Sequence, residues 1–484
     1  MTQTAQQTLP PGTIIRRMIR GKERFYHQWR ENGKTLSRYL KPDEILPLRE
    51  KIELRKRLQA EKRRQAALPR RGDAPVFSCG VLTGARLAEL AASASPLKPR
   101  SLLASVQSYL REDRPGRVLL VQGLPQTGKT TLLRHALLSL DGDERDASAY
   151  MSLPAGLSAG DFLADLRRIA GGHARNVFID GFGRAEALRD LAPVLEDTFA
   201  ATGIRLVLAA DQPHALAVSA RTQAVSTTFL SYPDFLLGEG GATLDDYLRR
   251  GGPGEEQVGE EEKRTLDALN RRILLRVLAD AVRRPSVRSS RLGSDLQMLA
   301  RVLGERLGEG PAPADIARVR ALNIVETAED ETFFILPGLR RSLSARLVRG
   351  LLADEAAAHL GAAERKIVEE TILRLVADRT LADLVLYKTM LQRKNATTGV
   401  FRLRFPVGGI DVVVADREEL TCELCEVRNE TGRSDRQLES LDDADRLDAV
   451  EHLYGTIASR TLVYRGRNAW HTSGIAYRNV AGFL

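Results

Sequence analysis

The sequence predicts a multidomain protein of the α/β class, and three observations lead to this prediction. The chain has 484 residues, which exceeds the roughly 250 residues at which a single hydrophobic core stops growing. Short apolar runs and stretches with helical apolar spacing follow one another between residues 76 and 252, as in a parallel sheet covered by helices. A glycine-rich segment at residues 123–130 lies directly between one such run and one such stretch.

The glycine-rich segment reads Gly-Leu-Pro-Gln-Thr-Gly-Lys-Thr and matches the phosphate-binding loop (P-loop) of nucleoside triphosphatases, G-x-x-x-x-G-K-[ST]. Its glycines let backbone N–H groups turn toward phosphate oxygens, and the following helix adds free donors and a favourable dipole. We therefore expect ATP and Mg²⁺ as cofactors, with Lys129 on the β- and γ-phosphates and Thr130 on Mg²⁺. The predicted nucleotide-binding residues are Gly123, Gly128, Lys129, Thr130 and Thr131.

A second apolar run, Asn176-Val-Phe-Ile-Asp180, ends in a carboxylate that is predicted to hold Mg²⁺ through water. Lys129 and Asp180 are therefore the candidate catalytic residues of this domain. Many ATPases of this kind carry a glutamate directly after the aspartate to orient the attacking water, and here that position is Gly181. Asp211, after the run at residues 204–210, lies either near the γ-phosphate or, as its position favours, at a strand–loop junction that it caps. The sequence predicts nucleotide binding with slow hydrolysis.

Composition excludes several classes of protein. With 43% hydrophobic and 28% charged residues the chain can build cores, so wholesale disorder is excluded. No apolar stretch approaches the ~20 residues of a membrane span, and the N-terminus is polar, which predicts a cytoplasmic protein without a membrane partner. Cys422 and Cys425 have metal-ligand spacing but lie in a strand-like run without a second pair, so we interpret them as packing residues.

The positive charge of the chain is concentrated at its N-terminus. Residues 1–71 contain 19 lysine and arginine and 7 acidic residues, a net charge of +12, whereas the whole chain carries +9. The sequence of this region predicts a β-meander of three strands between Thr13 and Leu40, followed by a basic helix from Pro42 to about Arg64. On the middle strand Phe25, His27 and Trp29 share one face, and Arg24, Tyr26, Gln28 and Arg30 share the other. Two interpretations stay open: contact with a nucleic-acid backbone, or a small aromatic core with a solvated charged face.

Two further modules are predicted after the ATPase domain, which we place at residues 76–252. The first, at residues 253–350, begins with a loop and is helix-rich over 264–350, with a strand pair near residues 324–336, which suggests a winged-helix-like module. The acidic entry at residues 253–262 favours an ATPase lid over a DNA-binding role. Residues 351–484 are predicted to form a second α/β domain with a helix at 363–376 and strands at 400–405, 409–414 and 420–427.

The C-terminal domain contains a second set of candidate site residues. Asp411 on one strand and Glu426-x-Arg428 on the next have the layout of the restriction-endonuclease-like fold, in which two carboxylates bind Mg²⁺ and a lysine positions water. Here Arg428, which cannot act as a base, stands in place of the lysine. Glu364, Glu369 and Glu370 on the preceding helix are candidates for a further ligand. From the residues alone, an ordinary solvated strand pair is the favoured interpretation.

From about Thr13 to Leu484 the chain resembles an uncharacterised prokaryotic family in which an AAA-type P-loop ATPase precedes a restriction-endonuclease-like, PD-(D/E)xK-like domain. The segments that carry the resemblance are 123–131, 177–180, 199–208, 247–252, 336–342, 409–411, 426–428 with Gln437, 462–466 and 474–480. The resemblance implies ATP-dependent chemistry and metal binding by Thr130, Asp180, Asp411 and Glu426. The chain departs from the family pattern at Gly181 and Arg428, which predicts slow ATP hydrolysis and poor nuclease activity.

Three classes of function follow from these expectations. The first is an ATPase that acts on or is bound to nucleic acid, through the basic N-terminal module. The second is an ATP-dependent conformational switch, and the third is a binding scaffold whose catalytic sites have decayed. Many AAA-type proteins hydrolyse ATP at the interfaces of a homo-oligomer with an arginine from a neighbour, and Arg184 and Arg221 are open candidates for that role.

Overall fold

The computed structural model describes residues 12–19, 22–31, 34–45, 47–49, 52, 77–112, 116–172, 174–182, 200–201, 203–211, 220–283, 287, 289–405, 408–434 and 437–484. The chain divides into two compact units. The first comprises Met1–Ser78 with Asp161–Ala174, and the second comprises Cys79–Gly160 with Arg175–Leu484. No helix within the described ranges is long and apolar enough to span a membrane.

The first unit contains the predicted β-meander. Strands β1 (Thr13–Ile19), β2 (Lys22–Glu31) and β3 (Lys34–Leu40) form an antiparallel sheet in that order. Residues 42–45, 47–49 and 52 are helical, and the rest of the predicted basic helix lies outside the described residues. Helix α5 (Ala159–Gly171, numbered in chain order) belongs almost entirely to this unit. The two faces of β2 are divided as predicted, since His27 is buried and stacks on Trp29 while Arg24 and Arg30 are exposed.

The second unit begins with the predicted parallel sheet. Its strands are β4 (Gly80–Leu82), β5 (Val118–Gln122), β6 (Ser148–Ser152), β7 (Asn176–Asp180), β8 (Arg205–Ala210) and β9 (Thr222–Ser226), in the order β4-β6-β7-β8-β5-β9. Every pairing except β4–β6 is parallel. The accompanying helices are α1 (Gly84–Ala92), α2 (Leu103–Arg111), α3 (Lys129–Leu138) and α4 (Gly142–Asp146). Because carboxyl ends of parallel strands meet at one edge, the segments after β5, β7 and β8 lie together.

A helical region follows this sheet. Its helices are α6 (Tyr232–Gly238), α7 (Leu244–Arg250), α8 (Glu260–Arg283), α9 (Arg291–Glu305), α10 (Pro313–Ala321) and α11 (Pro337–Leu352). A hairpin of β10 (Val325–Ala328) and β11 (Glu331–Phe334) lies between α10 and α11. The strand pair is close to its predicted position but does not end the region. Pro337 occupies the first turn of α11, where a proline needs no N–H partner, so the chain turns into a helix instead.

The C-terminal region begins with one long helix, α12 (Ala362–Arg393). The predicted helix at 363–376 is too short, because no glycine or proline interrupts the sequence before residue 394 and residues 380–387 are all buried. The sheet that follows has strands β12 (Thr398–Arg404), β13 (Gly409–Asp416), β14 (Thr421–Val427), β15 (Thr456–Tyr464), β16 (Ala469–Trp470) and β17 (Ala476–Asn479), with α13 (Glu439–Asp442) and α14 (Ala444–Tyr454) between β14 and β15. Its order is β12-β13-β14-β15-β17-β16.

The C-terminal sheet is mixed, with antiparallel strand pairs at both edges and parallel pairs between them. Strands β12, β13 and β14 pair antiparallel, β14, β15 and β17 pair parallel, and β16 returns antiparallel to β17. The parallel step from β14 to β15 requires a crossover, and α14 provides it. Cys422 is buried in β14 and Cys425 is partly buried, and both are free thiols.

Buried ion pairs join α11, α12 and β12. Asp383 on α12 is fully buried, and its carboxylate accepts a hydrogen bond from Arg340 on α11 and another from Arg402 on β12 at 2.9 Å. Arg379 lies 3.2 Å from the same carboxylate. Glu331 on β11 pairs with Arg379 at 2.5 Å, and although burial raises its pKa, the surrounding guanidinium groups lower it to about 2. Each buried charge therefore has an opposite partner, as stability requires.

We predict that Asp383→Asn destabilises the protein more than any single arginine substitution in this cluster. The change removes one negative charge that three guanidinium groups share, and loss of a buried partner costs about 3–5 kcal/mol. Arg340→Met should cost less, because Asp383 then keeps Arg402 and Arg379. Thermal unfolding measures both effects. Glu305→Gln, which affects the exposed pair with Arg301, is the control and should leave the melting temperature unchanged; an Asp383→Asn variant as stable as this control would contradict the prediction.

Candidate functional site

The loop between β5 and α3 has the backbone that its glycines predict. Gly123 and Gly128 have φ values of 158° and 84°, in a region that favours glycine. A Cβ atom on Gly123 would lie 2.4 Å from the hydroxyl oxygen of Thr227, so a side chain does not fit there. Thr131 is half-buried in the first turn of α3. The loop is thus closely packed against the segment that follows β9.

Lys129 is buried at the start of α3, with 7% of its surface exposed. Its Nζ atom donates hydrogen bonds to the carbonyl oxygens of Gly123 at 2.9 Å and Leu124 at 2.6 Å. The same atom lies 2.7 Å from Oδ1 of Asp211, which directly follows β8. Asp211 therefore contacts the P-loop lysine; the strand–loop cap that its position favoured would involve residues 212–219, which lie outside the described residues. Its carboxylate is the ion-pair partner of the P-loop lysine, since β8 is the neighbour of β5 in the sheet.

Asp180, at the end of β7, is held by two hydroxyl groups. Thr130 donates a hydrogen bond to its Oδ2 atom at 2.8 Å, and Tyr150 donates to the same atom at 2.7 Å. Burial, together with the Asp180 carboxylate, raises the pKa of Tyr150, so the phenol stays protonated and remains a donor. The structure thus brings Thr130 and Asp180 together as predicted. Tyr150 was missed because one tyrosine in the apolar run of β6 is typical of a core residue.

The position after Asp180 cannot readily carry a side chain. Gly181 has a φ of 76°, in the left-handed region that L-residues with side chains rarely adopt. A glutamate introduced there would strain the backbone. Among the described residues, Asp211 rather than position 181 places a carboxylate next to the P-loop lysine.

Arg100, from the segment before α2, ties the P-loop to the chain after β9. Its guanidinium donates hydrogen bonds to the carbonyl oxygens of Thr127 and Thr227, both at 3.0 Å, and of Phe229 at 2.7 Å. Burial lowers its pKa, although the carboxylate of Asp234 at 3.9 Å opposes this. Two of these three contacts join residues more than a hundred positions apart, so no local sequence pattern indicates them.

A cavity of about 640 Å³ opens beside the P-loop. This volume is in the range of small-molecule sites. One side is formed by Leu124, Pro125, Gln126 and Asp211, and the other by residues of the helical region: Glu256, Gln257, Val258, Gly259, Glu262, Arg318, Ala321 and Leu322. Arg318 pairs with Glu261 at 2.5 Å and lies 3.5 Å from Glu262. The P-loop and the helical region therefore enclose one space.

In the C-terminal sheet, Asp411 and Glu426 lie opposite one another on β13 and β14, because Val412 pairs with Cys425. The Arg428 guanidinium lies 2.7 Å from Glu426 and 3.7 Å from Asp411. Asp411 also accepts a hydrogen bond from the Val427 amide at 3.0 Å. Burial raises the pKa of Glu426 to about 7, with Arg428 opposing and Asp411 adding to the rise. The three predicted residues form one cluster, in which a guanidinium lies between two carboxylates.

The glutamates proposed as a further metal ligand point elsewhere. Glu364 caps the start of α12 and pairs with Arg291, and Glu369 pairs with Arg349 at 2.9 Å. The second half of α12 faces Asp411 and Glu426. Asp383 in this half pairs with Arg402, and the Nε atom of Arg402 lies 3.6 Å from Asp411. Within the described ranges, no group of three or more His, Cys, Asp or Glu side chains is arranged to hold a metal ion.

The candidate arginines for hydrolysis at an interface are only partly described. Arg184 lies outside the described residues, and Arg221 is exposed at the start of β9.

Comparisons with known proteins cover different parts of the chain. A family model described as a domain of unknown function, DUF6788, matches residues 2–51, which include the β-meander. No curated protein matches. Among matching solved structures is that of PCH-2 from C. elegans, with 12% identity, 63% of this chain and 76% of that chain covered, and a TM-score of 0.25. At this TM-score the likeness does not establish a shared fold.

Proposed function

We propose that this protein is an ATP-binding P-loop ATPase of the AAA type. One observation carries the proposal. The lysine and threonine of the G-x-x-x-x-G-K-T loop lie at the same sheet edge as the carboxylates that follow the two neighbouring strands. Lys129 contacts Asp211 at 2.7 Å, and Thr130 contacts Asp180 at 2.8 Å. This set of groups suits a triphosphate with its metal ion.

ATP binding in this site exchanges the partners of Lys129. The backbone amides of the loop and of the α3 N-terminus bind phosphate oxygens. The ammonium group leaves the carbonyl oxygens of Gly123 and Leu124 and turns to the β- and γ-phosphates. A hydroxyl and a carboxylate are oxygen ligands of the kind that Mg²⁺ prefers, so Thr130 and Asp180 would hold the ion, with Tyr150 fixing the Asp180 carboxylate. Mg²⁺, when bound, supplies charge neutralisation at the phosphates.

Hydrolysis then depends on Asp211. Position 181 offers no carboxylate, whereas the Asp211 side chain lines the cavity beside the P-loop and already lies next to the lysine that contacts the γ-phosphate. We infer that it accepts a hydrogen bond from the attacking water. The water oxygen forms a bond to the γ-phosphorus, the bond to the β–γ bridging oxygen breaks, and ADP and phosphate leave with the water proton on the phosphate. Turnover is slow, because Gly181 stands where a water-orienting glutamate would follow Asp180, so one carboxylate alone orients the water.

The helical region after the sheet acts as a lid in this proposal. Residues 256–262 and α10 form the far wall of the cavity, so nucleotide in the cavity contacts both sides. The alternative function, an ATP-dependent switch, uses the same geometry. It differs from the first proposal in turnover, not in binding.

We predict that Lys129→Ala weakens ATP binding by about 2 kcal/mol or more, roughly 30-fold, because it removes a charge-assisted contact to the phosphates. Isothermal titration calorimetry with Mg²⁺ and ATP measures the effect. Lys98→Ala, at an exposed lysine in the same domain, is the control. Equal ATP affinities for wild type and Lys129→Ala, with circular dichroism showing that both are folded, would contradict the proposal.

We predict that Asp211→Asn keeps ATP affinity or increases it, because Lys129 loses its competing partner, while the rate of phosphate release falls about 100-fold, the size of a general-base effect. Single-turnover hydrolysis distinguishes chemistry from product release. Asp234→Asn, at a carboxylate that contacts Arg100 and not the P-loop lysine, is the comparison. If wild type binds ATP without measurable turnover, the switch is the correct function; if it turns over and Asp211→Asn does so equally fast, another group orients the water.

A second proposal concerns nucleic acid. The net charge of +12 in residues 1–71 supports a nucleic-acid partner for the N-terminal module. The order α12, β12, β13, β14, α14, β15, with Asp411 and Glu426 on adjacent strands, supports a nuclease-like C-terminal domain. The Arg428 guanidinium between the two carboxylates supports a degenerate one, because it holds the position that a metal ion would need.

We predict that the wild-type protein cleaves DNA poorly and that Arg428→Lys raises Mg²⁺-dependent cleavage, because a flexible ammonium frees the space between the carboxylates. The readout is loss of a labelled single or double strand. Arg417→Lys, at an exposed position after β13, is the control. Robust wild-type cleavage that disappears in Asp411→Ala would instead make this domain a working nuclease.

A further inference from the structure

The solvent face of the N-terminal sheet carries an ordered set of tyrosine and arginine side chains. Tyr26 on β2 pairs in register with Tyr39 on β3, and their rings meet edge to face with centroids 5.7 Å apart. Arg17 on β1 pairs in register with Arg24 on β2, in the next row of the same face. The Arg17 guanidinium lies 5.4 Å from the Tyr26 ring centroid, and the Arg24 guanidinium lies 5.7 Å from that of Tyr39.

This face, which we call the tyrosine face (Arg17, Arg24, Tyr26, Arg30 and Tyr39), is separate from the small core of the sheet. The core lies on the opposite face, where His27 and Leu40 are buried. Tyr39 is 46% exposed. An ordinary solvated face would not need two paired aromatic rings at its centre, since polar side chains serve that purpose without exposing apolar area.

The charge of the tyrosine face is not neutralised within the described residues. The two ion pairs of this sheet region, Arg16 with Glu23 at 2.7 Å and Arg38 with Glu44 at 3.5 Å, involve side chains of the opposite face. Arg17, Arg24 and Arg30 have no carboxylate partner in the described part of the chain. The tyrosine face therefore combines aromatic rings with positive charge, and it complements a polyanion whose units have flat apolar groups.

We propose that the tyrosine face binds single-stranded nucleic acid. Two bases stack on the Tyr26 and Tyr39 rings, in place of the guanidinium groups that now cover them, and Arg17 and Arg24 turn to the phosphates. Residues of one face repeat every ~6.8 Å along a strand. Arg30 lies two such repeats beyond Tyr26, so it contacts a phosphate further along the nucleic-acid strand. A duplex fits less well, because its bases are stacked on one another and cannot reach the rings. This inference rests on the proposed nucleic-acid partner and names the form of that partner.

The test uses the full-length chain and fluorescence anisotropy with three labelled probes of equal length: oligo(dT), oligo(U) and a random duplex. The double substitution Tyr26→Leu/Tyr39→Leu should weaken binding of the single strands at least 10-fold, since each stacked base contributes about 1–3 kcal/mol. Duplex binding should stay within twofold. Tyr26→Phe/Tyr39→Phe keeps the rings and should restore single-strand affinity, which a loss of folding would not allow.

The matched control is Met18→Ala/Leu36→Ala, at two exposed apolar side chains on the opposite face of the same sheet. It should leave all three affinities unchanged. Arg17→Gln/Arg24→Gln should weaken binding and reduce its salt dependence. A difference between the affinities for oligo(dT) and oligo(U) shows whether the face prefers DNA or RNA.

Three results would overturn the inference. They are an unchanged single-strand affinity in the leucine variant, an equal loss for duplex and single strand, and failure of the phenylalanine variant to restore binding. If deletion of residues 1–71 leaves nucleic-acid binding intact, the proposed partner of this module is itself wrong. ATP affinity, measured in parallel, should be the same in all variants.

Discussion

The position of the helical region depends on a shared core that contains charged groups as well as apolar ones. One cluster of buried apolar residues runs from Leu124 in the P-loop, through residues 319–343 of the helical region, to the C-terminal sheet. In the same unit, the buried carboxylate of Asp383 contacts three guanidinium groups. Because a buried carboxylate without partners costs several kcal/mol, α11, α12 and β12 have to keep their positions together. The helical region is thus held on both sides, by the P-loop and by the C-terminal sheet.

The same arrangement connects the cavity beside the P-loop to the C-terminal sheet. The cavity beside the P-loop has one wall on the parallel sheet and another on residues 256–262 and α10. The hairpin that follows α10 carries Glu331, which pairs with Arg402 and Arg404 at the start of the C-terminal sheet. In the proposed function, the lid is therefore connected to the C-terminal sheet by ion pairs.

Much of the fold followed from the sequence, because it rests on local patterns. The P-loop with its flanking strand and helix, the β-meander and the strands that carry Asp180, Asp411 and Glu426 have periodicity or motifs that short windows reveal. The sequence could not indicate Arg100, Tyr150 or Asp383, whose partners are distant in the chain. It also could not distinguish a cap from an ion-pair partner at Asp211, because that depends on which strand lies next to β5. Sheet order is a property of the whole domain.

In each of the two candidate sites a cationic side chain pairs with carboxylate groups. The cation is a lysine in the first site and an arginine in the second, and this difference decides what each site can do. Lys129 holds Asp211 with a single ammonium group on a long stem, and a triphosphate offers that group a better partner, so the pair can open. Arg428 is a fixed, permanently charged fork at 2.7 Å from a carboxyl group whose pKa burial has raised to about 7. Removing the guanidinium would leave Glu426 and Asp411 facing each other on adjacent strands, where two like charges repel. The first pair is therefore suited to exchange for a ligand, whereas the second stabilises the sheet that contains it.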